Sequence, residues 1–126
     1  MKIFIDVNIF IDVMTKRSGW TESIRVLNLA RRSPDVESWI SALTLPLVYF
    51  FRRRIVNEST ARADAQAILK GLHLVSLNQT ILDQAMISAG SDFEDNIQLV
   101  SAASISANHL ITRNKKDFDA AFFPSI

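Results

Sequence analysis

The stretch Lys2–Asp12, KIFIDVNIFID, decides the fold of this chain. Its first residues, from Lys2 to Ile5, form a short apolar run that ends at an acid, which predicts a buried strand. Asp6 follows directly, and Asn8 can cap a helix that extends to about residue 16. A buried strand that passes through an acid into a helix is a typical opening of an α/β unit.

Strands and helices continue to alternate along the rest of the chain. Apolar runs predict strands at residues 36–42, 72–77 and 109–112, and residues 121–126 either add an edge strand or fray. Caps, breakers and apolar periodicity predict helices at residues 21–32, 43–54, 60–69, 78–89 and 91–107. Asn78 should cap the fifth of the predicted helices, and the capping-box spacing of Ser91 and Glu94 should start the sixth at Ser91.

This alternation predicts one domain of the α/β class over residues 1–126. We expect three α/β/α layers, with a mostly parallel sheet of about four to five strands between two layers of helices.

The composition excludes several classes of protein. Of the 126 residues, 48% are hydrophobic, 21% are charged and none is cysteine. A globular core is therefore expected, and disulfides, thiolate metal sites and cysteine nucleophiles are ruled out. No apolar run approaches the roughly 20 residues of a membrane span. Because Asp6 and Asp12 interrupt the apolar N-terminus, we reject a secretory leader and expect a cytoplasmic protein.

The charges are balanced overall but locally segregated. The net charge of +1 gives no global attraction for nucleic acid. Two basic clusters nevertheless supply candidate phosphate contacts, and the alternative for each is an ordinary solvated surface. The candidate residues are Arg52, Arg53, Arg113 and Lys115.

Acidic residues occur where parallel α/β sheets place their sites, beyond the carboxyl ends of the strands. Asp6 leaves the first predicted strand, Asp117 follows the fourth, and Asp92 and Asp95 lie in the first turn of the helix between them. Carboxylates gathered in this way repel one another unless a cation compensates, and Mg²⁺ or Mn²⁺ prefers such oxygen ligands. A carboxylate-bound metal with basic rims is what a metal-dependent nuclease needs.

Two further acids are expected to have ordinary roles. Glu94 is better explained by the capping box, and Asp12 is expected to be a solvated or capping group that points away from Asp6.

The residue patterns of four segments resemble the motifs of the PIN domain family of nucleases and occur in the same order along the chain. The first has an Asp at the end of its strand and an Asn two residues later, and the last, ITRNKKDF, is the most specific match. The four segments are Phe4–Asp12, Ile40–Leu45, Asp92–Gln98 and Ile111–Phe118. Together they extend over nearly the whole chain.

This resemblance implies a fold, an activity and partners. Relatives of this kind cleave single-stranded RNA with Mg²⁺ or Mn²⁺, and many compact bacterial members are toxins of the VapC type, held by an antitoxin protein and often dimeric. Carried over by position, the metal-site and catalytic acids would be Asp6, Asp95 and Asp117, with Asp92 as a further metal-site carboxylate. The supporting polar residues would be Asn8, Thr112 and Asn114.

One position departs from the family pattern. The family usually places a Glu early in the third helix, where this chain has Leu47. A leucine cannot bind a metal or orient a water molecule. Two hypotheses therefore stand: a metal-dependent ribonuclease, and a PIN-fold domain that has lost catalysis and binds nucleic acid or a protein partner.

Overall fold

The computed structural model describes residues 1–16, 18, 20–68, 70–90 and 92–112. Strands and helices alternate through these residues, as the sequence predicts. The elements are β1 (Lys2–Ile5), α1 (Val7–Thr15), α2 (Trp20–Arg32), β2 (Glu37–Ser41), α3 (Thr44–Arg53), α4 (Glu58–Ile68), β3 (His73–Val75), α5 (Gln79–Ile87), α6 (Phe93–Ser104) and β4 (His109–Ile111).

The four described strands form one parallel sheet in the order β3-β2-β1-β4. The chain builds outward from β1 through β2 to β3 and then crosses back, so that β4 lies on the other side of β1. This arrangement confirms the predicted α/β class and parallel sheet. The edge strand predicted at residues 121–126 lies outside the described residues.

The sheet is covered on both faces because strand side chains alternate between them. Ile3 and Ile5 of β1 pack on one side with residues of α1, α2, α3 and α4. Phe4 packs on the other side with residues of α5 and α6. These two apolar clusters are the cores of a three-layer α/β/α fold, which is the predicted architecture.

Two helix starts differ from the sequence prediction. Asp6, and not Asn8, occupies the N-cap position of α1. Asp92, and not Ser91, caps α6, because its Oδ1 accepts from the backbone N–H groups of Glu94 at 2.8 Å and Asp95 at 3.1 Å. The predicted capping box at Ser91 is therefore wrong, whereas Asn78 caps α5 as predicted, accepting from the Ile81 N–H at 2.9 Å.

The end of α6 also comes earlier than residue 107. The helix stops at Ser104 because Ser106 adopts a left-handed conformation with φ of 55°. The Ala107 N–H then donates to the Ala102 carbonyl at 3.1 Å, which closes the last turn.

Asp12 is buried, not solvated as predicted. It is fully enclosed where α2 packs across α1, and the Ser23 hydroxyl donates to its Oδ2 at 3.5 Å. The sequence pattern of α1 alone could not show that a second helix covers this side chain.

Candidate metal centre

The candidate site lies where the chain direction across the sheet reverses. The strands β1 and β4 are neighbours, yet the helices that follow β1 lie on one face of the sheet and the helices that precede β4 lie on the other. A crevice opens at such a switch point, beyond the carboxyl ends of the strands. The Asp6 N–H donates to the Ile111 carbonyl at 2.9 Å, which extends the pairing of the two strands and places Thr112 beside Asp6.

Asp6 is a fully buried acid with an incomplete set of partners. Its Oδ2 accepts from the Thr112 hydroxyl at 3.1 Å and, at the longer distance of 3.5 Å, from the Asn8 side-chain amide. Its Oδ1 is buried and has no hydrogen-bond partner among the described residues. An unpaired buried oxygen of this kind carries a large desolvation penalty.

Burial also governs the protonation of this side chain. Desolvation raises the pKa of Asp6 above its ordinary value, and the hydrogen bonds from Thr112 and Asn8 oppose this only in part. None of the interactions that act on the carboxyl group comes from a Lys or Arg of the described residues. A cation at Oδ1 would supply the missing compensation.

The first turn of α6 brings further acids to the same edge of the sheet. Asp92 is exposed and caps the helix, while Glu94 and Asp95 are half-buried in its first turn. The pKa of Glu94 is raised, first by burial and then by the negative charges of Asp92 and Asp6. Glu94 therefore shares the electrostatic field of the buried Asp6.

Glu94 is the acid that the sequence analysis missed. Its spacing from Ser91 suggested a capping box, which would occupy its carboxylate with the backbone at the helix start. Because Asp92 is the cap, Glu94 is released from that role. The signal was present in the sequence, since Asp92 is as good an N-cap residue as Ser91 and lies one position later.

The other predicted site residues divide into three groups. Asn8 and Thr112 contact Asp6, in the positions expected of supporting polar groups. Of the candidate phosphate contacts, Arg52 binds Asp64 at 2.6 Å and the Met14 carbonyl at 3.0 Å, and it links α3 to α4 and α1. The residues that lie outside the described part of the chain are Arg113, Asn114, Lys115 and Asp117.

Arg53 is exposed near the end of α3. Its guanidinium lies 3.8 Å from the Glu58 carboxylate and donates to the Val56 carbonyl at 3.2 Å. Both interactions are open to solvent, so that an exposed anion can compete for this side chain.

The donor set suits a hard divalent cation, although the described residues do not complete it. Among residues 1–112 as far as they are described, no three His, Asp or Glu side chains form a metal-binding group. Leu47 lies half-buried in the first turn of α3, just after β2, and adds no oxygen. What fits the ion is the unpaired Oδ1 of Asp6, a carboxylate oxygen of the kind that hard cations prefer.

The fold and the site define a class of protein: a parallel α/β domain with a buried acid at its switch point and acids in the adjoining helix turn. Residues 2–116 match the family model of the PIN domain. The chain therefore belongs to the PIN domain family.

Solved structures share this fold at low sequence identity. The toxin VapC20 of Mycobacterium tuberculosis, described as cleaving the sarcin-ricin loop, is 14% identical with a TM-score of 0.67, over 95% of this chain and 92% of that one. A toxin–antitoxin complex from Klebsiella pneumoniae is 22% identical with a TM-score of 0.70, over 96% of this chain and 94% of that one. VapBC-1 of nontypeable Haemophilus influenzae is 18% identical with a TM-score of 0.72, over 100% of this chain and 97% of that one. No curated protein matches the chain.

Each of the described helices is too short or too polar to traverse a lipid bilayer.

Proposed function

We propose that this chain is a Mg²⁺- or Mn²⁺-dependent ribonuclease of the PIN type that cleaves single-stranded RNA. The observation that carries the proposal is Asp6, a fully buried carboxylate at the switch point of the sheet with one oxygen unpaired. A buried carboxylate with one oxygen unpaired destabilises the protein, and such groups persist where function requires them.

The ion would be held by Asp6, Asp95 and Asp117. Asp6 is proposed for its burial directly after β1, Asp95 for its position in the first turn of α6, and Asp117 for the resemblance of its segment to the last PIN motif. When bound, the ion supplies a Lewis acid for the phosphodiester and promotes ionisation of a water molecule. Thr112 and Asn8 hold Asp6 in one orientation through its Oδ2, and the predicted role of Asn114 is similar.

Asp92 and Glu94 adjust this centre from the start of α6. Both cap hydrogen bonds use Oδ1 of Asp92, which leaves its Oδ2 for an ion or its water shell. Glu94 adds a half-buried carboxylate in the field of Asp6. These two acids offset part of the charge that the family usually draws from the Glu replaced here by Leu47.

The proposal includes partners. The Klebsiella pneumoniae structure is described as a toxin–antitoxin complex, and we propose that this chain is likewise a toxin bound by an antitoxin protein in the cytoplasm. A homodimer is part of this proposal. Arg53, Arg113 and Lys115 are proposed to contact RNA phosphates, and Arg52 would have to exchange its bonds to Asp64 and Met14 to join them.

Leu47 favours a second candidate, a PIN-fold domain that binds RNA or a protein without cleaving. The two are separated by incubating labelled single-stranded RNA with the wild-type protein in Mn²⁺ or in EDTA, and with Asp6→Asn. Asp83→Asn on α5 is the matched control, because that carboxylate is exposed and is not one of the proposed site acids.

The ribonuclease proposal expects cleavage in Mn²⁺ by the wild type and by Asp83→Asn, and none in EDTA or by Asp6→Asn. The binding-module candidate expects RNA to be retained without metal, no cleavage, and no effect of Asp6→Asn.

A further inference from the structure

We propose that the cavity between α5 and α6 is a nucleobase subsite, which takes a base adjacent to the scissile phosphate. The inference rests on the proposed ribonuclease function and adds to it a place where the substrate is read.

The cavity runs along α6 from the acidic centre. Its volume is about 480 Å³, within the range of about 300–1,000 Å³ that small-molecule sites occupy. Asp95 lines it in the first turn of α6 and Ala103 lines it in the last, which corresponds to a length of roughly 12 Å along the helix. The cavity therefore begins at a proposed metal ligand.

The residues that line the cavity suit a bound nucleobase better than a bound phosphate. Ile87, Leu99 and Val100 supply apolar surface for the flat faces of an aromatic ring. Gln84 and Ser88 also line the cavity, and the Ser88 hydroxyl, which donates to the Gln84 backbone carbonyl at 2.7 Å, can still accept from the polar edge of a base. Among the described residues no Lys or Arg lines the cavity, so they offer an anionic group no cationic partner there.

A tight contact fixes the shape of this cavity. The Asn96 side-chain amide donates to the Ala85 carbonyl at 3.0 Å and to the Gly90 carbonyl at 3.3 Å, which joins α5 and the following loop to α6. A Cβ at Gly90 would lie 2.0 Å from Asn96 Oδ1, so only glycine permits this approach. The cavity is thus formed before any ligand binds, which lowers the entropic cost of binding.

Continuity with Asp95 selects RNA as the occupant over a second protein. Because Asp95 both lines the cavity and is a proposed metal ligand, an RNA strand with its phosphate at the metal would have a neighbouring base close to the cavity mouth. Ile87 is 85% exposed at its rim, a feature that a protein interface would also show, and this alternative is an outcome of the test below.

The test fills the cavity and removes the base. Ala103→Leu narrows the cavity at an exposed helix position, and Ala63→Leu on the exposed face of α4 is its matched control. After the cleaved bond of a short single-stranded RNA has been mapped, the same RNA is made with an abasic nucleotide on either side of that bond. Binding is measured by fluorescence anisotropy in the Asp6→Asn background, and cleavage is measured in the wild-type background.

We expect removal of one of the two bases to weaken binding and to lower kcat/KM roughly tenfold in the Ala63→Leu protein. For Ala103→Leu, binding and kcat/KM with the complete RNA should already be about tenfold lower, and removal of the base should have no further effect on either. If both variants respond equally to base removal, the inference is overturned while cleavage itself stands.

Two further outcomes separate the inference from the function on which it rests. If the wild type cleaves no bond, the abasic nucleotide is placed at successive positions of the RNA, and base-dependent binding that Ala103→Leu abolishes would then retain the subsite and reject the nuclease. A wild-type dimer that Ala103→Leu converts to a monomer in light scattering would show that a second copy fills the cavity, and would overturn the inference.

Discussion

Asp6→Asn should stabilise the metal-free protein, because it removes a buried charge while keeping the hydrogen bonds around it. Asn at this position can still accept from Thr112 and Asn8 through its one oxygen, and the group that replaces Oδ1 carries no charge. Leaving a buried polar atom unpaired costs about 1–3 kcal/mol, and more when the group is charged. We therefore expect a gain of about 1–2 kcal/mol in the free energy of unfolding.

In the presence of the divalent ion, the wild type should become more stable than Asp6→Asn. Mn²⁺ at a hundred times its dissociation constant adds about 2.7 kcal/mol to a protein that binds it only when folded. Wild type should gain this stabilisation and Asp6→Asn should not. A gain of about 1 kcal/mol corresponds to a shift of about 4 °C in Tm for a domain of this size.

The assay is thermal unfolding by circular dichroism, for both proteins, in EDTA and in Mn²⁺. We expect Asp6→Asn to melt about 4–8 °C higher in EDTA and below the wild type in Mn²⁺. An Asp6→Asn protein that is less stable than the wild type in EDTA would refute the reasoning, because the carboxylate would then be a stabilising structural group.

The pH dependence of stability tests the burial of Asp6 independently. Because the pKa of Asp6 is higher in the folded protein than its ordinary value of 3.8, folding favours the protonated form. In EDTA the wild type should lose stability relative to Asp6→Asn as the pH rises from about 3.8 through the raised folded value. Urea unfolding of both proteins at successive pH values measures this difference, and a difference that widens in the opposite direction would contradict the burial argument.

Three other substitutions test the surroundings of the site. Gly90→Ala should lower the free energy of unfolding by about 1–3 kcal/mol in urea denaturation, because Asn96 would have to give up its hydrogen bonds; unchanged stability would contradict the close contact. Glu94→Gln should weaken Mn²⁺ binding about tenfold in calorimetry, whereas Glu22→Gln, an exposed acid in the first turn of α2, should have no effect. Leu47→Glu should tighten Mn²⁺ binding by about tenfold and raise the rate of RNA cleavage, and it should be compared with Leu47→Gln, which adds bulk and polarity without charge.

Much of the fold could be predicted because its signals are local. The apolar runs and caps of β1 and α5 predicted their elements, and the parallel sheet follows from the alternation along the chain. The meeting of Asp6 and Thr112 was also predictable, since both follow neighbouring strands of a parallel sheet.

The remaining features depend on tertiary packing or on competing local signals. Two residues could cap α6, and the choice of Asp92 over Ser91 changes the role of Glu94 from capping group to site acid. The burial of Asp12 and the cavity between α5 and α6 arise only when the helices pack, so no single segment predicts them.

Calorimetric titration with Mn²⁺ of the wild type, Asp95→Asn and the control Asp83→Asn measures whether the acids around Asp6 hold a divalent ion. We expect binding at one site by wild type and Asp83→Asn, with a dissociation constant in the micromolar range, about −8 kcal/mol, and loss of that binding in Asp95→Asn. A wild type that does not bind Mn²⁺ would mean that these acids hold no ion without the glutamate that Leu47 replaces, and the proposed metal centre would be wrong.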